Sequence, residues 1–146
     1  MKTKSILTAA ALIVASSLAS HVAQAHGSAH GVTKGETVTV AADKPIPNLP
    51  GKRLVSLVVG YAPGGSTAAH RHANSAFIYA YVLSGAIRSQ VDNEPARVYR
   101  AGEAWFENPG AHHRVSANAS KTKPARLLAV FIVDEAGQQL VSPDTH

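Results

Sequence analysis

The stretch "PGGSTAAHRHANSAFIYAYVLSG", Pro63 to Gly85, sets two histidines one residue apart, His70 and His72, between a glycine-rich turn and a run of aromatic and β-branched residues. Side chains at i and i+2 of an extended segment leave the same face, so two imidazoles in this spacing form a chelating pair if the chain is extended there. On a loop they would be two polar residues among many. The run that follows, "FIYAYVLS", has strand composition. Its alternation puts Ile78, Ala80 and Val82 on one face and Tyr79 and Tyr81 on the other, where the tyrosines suit core or subunit contacts better than catalysis.

The same texture extends to both sides. From Arg53 onward the runs "RLVSLVVGYA", "FIYAYVLS", "AIRSQV", "ARVYR", "AWFE", "HRVSA" and "ARLLAVFIV" alternate with "PGGS", "SG", "DNEP", "AGE", "NPGA" and "NASKTKP". Short β-rich runs punctuated at even spacing by turn residues predict an all-β sandwich or barrel, and no run keeps a helical period. Upstream, "ETVTVAA" (Glu36 to Ala42) reads as an edge strand, whereas the prolines of "KPIPNLP" (Lys44 to Pro50) deny a helix or a central strand. Outside the N-terminal segment the only helix-favouring tract is "DEAGQQL", Asp134 to Leu140, weakened by Gly137. On the strand "AIRSQV", Arg88 and Gln90 share a face that either lines a pocket, where an arginine suits a carboxylate, or meets solvent.

A second histidine stretch lies downstream, where Gly102 leads through "EAWFENPGA" to His112 and His113. Adjacent residues of a strand face opposite ways, so only one of these two imidazoles points inward. Together the two stretches resemble the cupin superfamily, whose motifs are G-x5-H-x-H-x3-4-E-x6-G and G-x5-P-x-G-x2-H-x3-N. Gly64, His70, His72 and Gly85 fit the first, and Gly102, Gly110 and His113 fit the second. The chain departs from the first at its glutamate, which falls on Ile78, with no Asp or Glu anywhere from Ala73 to Ser84. It departs from the second in having Asn108 where proline is usual, and Asn118 one position beyond the expected asparagine.

The resemblance covers about residues 53 to 133 and implies a single-domain, all-β, double-stranded β-helix: a jelly-roll-like barrel over residues 51–135. An N-terminal tail and edge strand (26–50) would precede it and a C-terminal tail (136–146) would follow. It implies one divalent transition metal, with Fe, Mn, Zn, Cu and Ni undistinguished, on His70, His72 and His113, and selects His113 over His112 as the inward residue. His112 and Glu107 are further candidates; Glu107, ending the strand "AWFE", either replaces the missing carboxylate, stabilises the turn that follows or faces solvent. Three imidazoles without an acid carry no ligand charge, which favours anionic bidentate substrates. The implied function is a mononuclear metal-binding cupin acting on a small polar or aromatic molecule, with dioxygenation as the reaction class. Two alternatives stand beside it: a non-catalytic module that binds or senses a small ligand or a metal, and a metal-independent isomerase or epimerase with a pocket histidine as base. No catalytic residue is assigned.

The chain of 146 residues has no cysteine, which excludes a disulfide scaffold. Lys2 and Lys4 precede an apolar run from Ile6 to Leu18, and "AQA" (Ala23 to Ala25) follows, the pattern of a secretory signal peptide cleaved after Ala25. Cleavage would bring the formal charge from +5 to +3 and place the protein in the periplasm or outside the cell, away from the membrane. The basic residues are scattered and not interleaved with aromatic ones, which argues against nucleic acid as a partner. A small-molecule ligand is expected, and the edge strand "ETVTVAA" offers a surface for a homodimer.

Overall fold

A computed structural model of the chain describes residues 34–136 and 139–144. The expected signal peptide, residues 1–25, lies outside the described residues. Every regular element described is a strand: β1 (Lys34–Pro45), β2 (Lys52–Thr67), β3 (His70–His72), β4 (Phe77–Ser84), β5 (Ala86–Val91), β6 (Arg97–Arg100), β7 (Ala104–Glu107), β8 (His112–Asn118), β9 (Ala125–Asp134) and β10 (Val141–Pro143). All pairings are antiparallel. One layer runs β1-β2-β9-β4-β7 and the other β10-β3-β8-β5-β6, and the far end of β2 joins them by pairing Ser66 and Thr67 with Ala117 and Ser116 of β8. The result is a nearly closed barrel, as the alternating runs require. The described part of "DEAGQQL" is not helical: Asp134 ends β9 and Glu135 and Ala136 form a turn. Residues 141–143, in the segment expected as a tail, pair with β3, the strand of the first two histidines.

Alternation decides what faces the barrel interior. Ile78, Ala80 and Val82 of β4 point in, as do Ala125, Leu127, Ala129, Phe131 and Val133 of β9, and Ile87 of β5 closes the core opposite them. Ile78, Val82, Ile87 and Val133 are fully buried, and removing each such side chain from water contributes about 1.5–3 kcal/mol. Tyr79 and Tyr81 lie on the outer face in a row with Phe106, and Phe106 stacks on Phe77 with ring centroids 5.8 Å apart.

Two local departures from simple strands shape one end of the barrel. The expected turn "PGGS" is absorbed into β2, which bends there: Gly64 takes φ +68° and donates its N–H to the Ser120 carbonyl at 2.8 Å. Gly65 presses against backbone, since a Cβ there would stand 2.8–2.9 Å from the carbonyl oxygens of Gly35, Ala62 and Lys34. The second departure is a bulge in β8, where Gln90 pairs with Val115 and the next residue, Val91, with His113, leaving Arg114 as the extra residue. The bulge resets the alternation, so His113, Ser116 and Asn118 are all buried. It also accounts for Asn118 standing one residue beyond the motif spacing: the extra residue restores it to the inner face, where its amide donates to the carbonyls of Ala62 and Lys123. Where β1, β2 and β8 meet, the Tyr61 hydroxyl bonds Ser116 Oγ at 2.8 Å and also Thr67, whose hydroxyl donates to the Glu36 carboxylate.

Candidate metal centre

His70 and His72 occupy the two inward positions of β3, and Arg71 between them is exposed. The extended conformation on which the chelating pair depends is enforced from both sides, because β3 pairs with β8 along one edge and β10 along the other. His70 lies directly opposite His113 in the β3–β8 register, which brings the third imidazole onto the first two. The loops that follow and precede these strands are laced together: the His72 N–H donates to the Ala111 carbonyl at 3.0 Å and the Gly110 N–H to the Ala73 carbonyl at 3.1 Å. Gly110 has φ +74°, a left-handed conformation that favours glycine, in the loop that meets Asn74.

The three rings form a compact cluster. Centroids are 4.8 Å apart for His70 and His72, 5.2 Å for His70 and His113, and 5.9 Å for His72 and His113. One ligand nitrogen from each lies within 4.8 Å of the others, and all three residues are buried. Two rings are oriented by hydrogen bonds on their far side: His70 Nδ1 to the Ala68 carbonyl at 2.7 Å, which turns Nε2 toward the site, and His113 Nε2 to Ser89 Oγ at 2.9 Å. Outer partners of this kind fix ring orientation at metal sites.

Glu107 enters from β7 on the opposite layer. Its Oε2 is 2.9 Å from His72 Nε2 and its Oε1 3.4 Å from His113 Nδ1, and the Trp105 indole donates to Oε1 at 3.0 Å. Phe131 packs edge-on against His72 and Trp105 edge-on against His113, so the walls around the polar cluster are aromatic. His112 turns away, as its adjacency to His113 dictates, and its Nε2 meets Asp144 Oδ2 at 2.7 Å. Arg88 is exposed and Gln90 donates its amide to the Glu94 carbonyl, so this pair takes the solvent option: burying Ile87 in the core sends residues 88 and 90 outward. The residue of β5 that does reach the site is Ser89, which the sequence reading missed, along with Trp105 and Phe131. The signal for Ser89 was its shared strand face with Ile87.

The electrostatics prepare the cluster for a cation. Burial lowers His113 to about 4, offset only in part by the Glu107 carboxylate, and burial lowers His70 as well, so both imidazoles are neutral at pH 7 with a lone pair available. Burial alone would raise the Glu107 carboxyl, but His72, His113 and the Trp105 indole together bring it down to about 2, so it is ionised. His72 Nε2 and Glu107 Oε2 have no partner besides one another, and His72 Nδ1 has none. Buried polar atoms are rarely left unsatisfied, and three clustered imidazoles beside an ionised carboxylate are a donor set that a divalent transition ion satisfies. The residues fit the group.

Residues 57–131 match the family model of the cupin domain. The chain belongs to the cupin family. No curated protein matches it in sequence. Among solved structures this cupin is similar to an oxalate oxidase in complex with the substrate analogue glycolate, at 25% identity and a TM-score of 0.55, over 70% of this chain and 53% of that one. It therefore spans about half the length of the oxalate oxidase. It is also similar to KdgF from Halomonas sp. (19% identity, TM-score 0.57, 73% of this chain and 86% of that one). A cupin 2 conserved barrel domain protein from Rhodopseudomonas palustris gives 19% identity and a TM-score of 0.59, over 80% and 72% of the two chains. The last two likenesses concern the fold alone.

Proposed function

We propose that this cupin is an exported, mononuclear metalloprotein that binds a divalent transition ion through His70, His72 and His113 and oxidises a small carboxylate-bearing molecule with dioxygen. The observation that carries the reading is the convergence of three buried imidazoles whose donor nitrogens lie within 4.8 Å of one another. Likeness to an oxalate oxidase holding glycolate supports a small oxygen-rich ligand. A divalent transition ion, when bound, supplies Lewis-acid and one-electron chemistry. The chain supplies the rest. Ala68 and Ser89 hold the His70 and His113 rings in place, Glu107 places negative charge beside them, and Phe131, Trp105 and Ile78 line the interior and exclude water. Export rests on the N-terminal pattern of Lys2, Lys4, the apolar run and "AQA".

The test is oxygen uptake by the purified chain loaded with Fe(II) or Mn(II), offered oxalate, glycolate and aromatic carboxylates. Uptake that depends on both metal and substrate and is lost in His113→Ala supports the proposal. Tight metal and carboxylate binding with no oxygen uptake would make the protein a binding module instead. Mass spectrometry of the chain recovered from the periplasm tests export, with His26 expected as the first residue.

A further inference from the structure

We infer that Glu107 is a direct fourth ligand to the ion, a carboxylate supplied from the strand across the ladder from the position where the family motif carries it. The inference rests on the metal reading above. In the β4–β7 register Ile78 is paired with Glu107, so the motif position and the carboxylate are directly opposed on neighbouring strands. Both side chains face the interior, with relative exposures of 1% and 3%. Directly opposed residues have Cβ atoms about 4.5–5.5 Å apart, a distance a glutamate side chain spans, so either strand can deliver a carboxylate to the same place.

One carboxylate oxygen of Glu107 stands directly against a donor nitrogen of the histidine cluster. His72 Nε2 and Glu107 Oε2 are 2.9 Å apart, and neither atom has a partner besides the other. A separation of 2.9 Å suits two donors that would share one ion as well as a direct N–H···O contact, and the Co(II) spectrum tells the two apart. The other oxygen, Oε1, is held by the Trp105 indole, which fixes the carboxylate plane and leaves Oε2 as the ligating atom. A further consequence is charge: with one carboxylate ligand a divalent ion retains a net charge near +1, which suits a monoanionic bidentate molecule, and an added oxygen donor favours Mn(II) or Fe(II) over softer ions.

The test is Mn(II) titration followed by electron paramagnetic resonance, together with the electronic spectrum of the Co(II) form, for wild type, Glu107→Gln and the double variant Ile78→Glu/Glu107→Gln. Circular dichroism confirms that each is folded. Removing an outer partner of a metal ligand costs about 10–100-fold in affinity. Loss of Glu107 as a ligand should exceed that range, change the Co(II) spectrum, and be largely reversed when the carboxylate returns at residue 78. A Co(II) spectrum unchanged by Glu107→Gln would make Glu107 an outer partner of His72 and overturn the inference while leaving the three-histidine site standing. Absence of binding in the wild type as well would overturn both.

Discussion

Metal-free protein should lose stability sharply between pH 7.5 and 4.5, with a defined share of the loss from His113. Burial lowers this imidazole from 6.5 to about 4 in the folded chain. A depressed histidine binds its proton more weakly when folded, so as pH falls through 6.5 the unfolded state takes up the proton first and the fold is disfavoured until about pH 4. With those two values, RT ln[(1 + 10^2)/(1 + 10^−0.5)] gives about 2.5 kcal/mol lost by pH 4.5. His70 is lowered too and adds in the same direction. Glu107 acts in a lower window: its folded value of about 2 lies below the usual 4.5, so its contribution is present above pH 4.5 and is lost only beneath it. Urea unfolding with a chelator present, followed by the fluorescence of Trp105, the single tryptophan, at the two pH values is the assay. Wild type is compared with His113→Gln, whose stability should vary with pH by about 2.5 kcal/mol less. Equal losses in the two proteins would refute the reasoning, because His113 would then titrate alike in the folded and unfolded chains.

Three further outcomes follow from single contacts. Tyr61, held by Ser116 and Thr67, is raised by burial to about 12, so the unfolded state ionises first above pH 10 and wild type should lose about 2 kcal/mol between pH 10 and 12; Tyr61→Phe should flatten that slope in alkaline unfolding curves. Ile87→Ala removes a fully buried side chain from the core and should cost about 2–5 kcal/mol by urea denaturation without altering the metal-to-protein ratio. Ser89→Ala leaves the far nitrogen of His113 unpaired and should weaken Mn(II) binding about 10–100-fold in the same paramagnetic titration, with about 1–3 kcal/mol lost from the unfolding free energy at pH 7.5.

The barrel was legible because half-buried antiparallel strands write their facing into a period of two: Ile78, Ala80 and Val82 sit inside and Tyr79 and Tyr81 outside, as the alternation requires. The spacing of His70 and His72 carried their common face in the same way. What stayed hidden were features that depend on non-local pairing. Nothing local announces that β2 continues through "PGGS", since the bend is stabilised by contacts with Ser120 and the β1 backbone. The Arg114 bulge is set by the β5–β8 register, and without it strict alternation from His113 places Val115 and Ala117 inward and leaves Asn118 out of place. Glu107 was visible as a carboxylate near His113 in sequence. Its opposition to Ile78 is a property of the β4–β7 ladder, which joins segments separated by β5 and β6.

The most direct measurement is the metal content of the untagged chain beside a variant with His70 and His72 both changed to alanine. A metal centre on these imidazoles predicts close to one divalent ion per chain in the wild type, retained through dialysis and absent from the folded variant. Failure of the wild type to hold any of Fe(II), Mn(II), Zn(II), Cu(II) or Ni(II) after reconstitution, or equal metal in the two proteins, would contradict it.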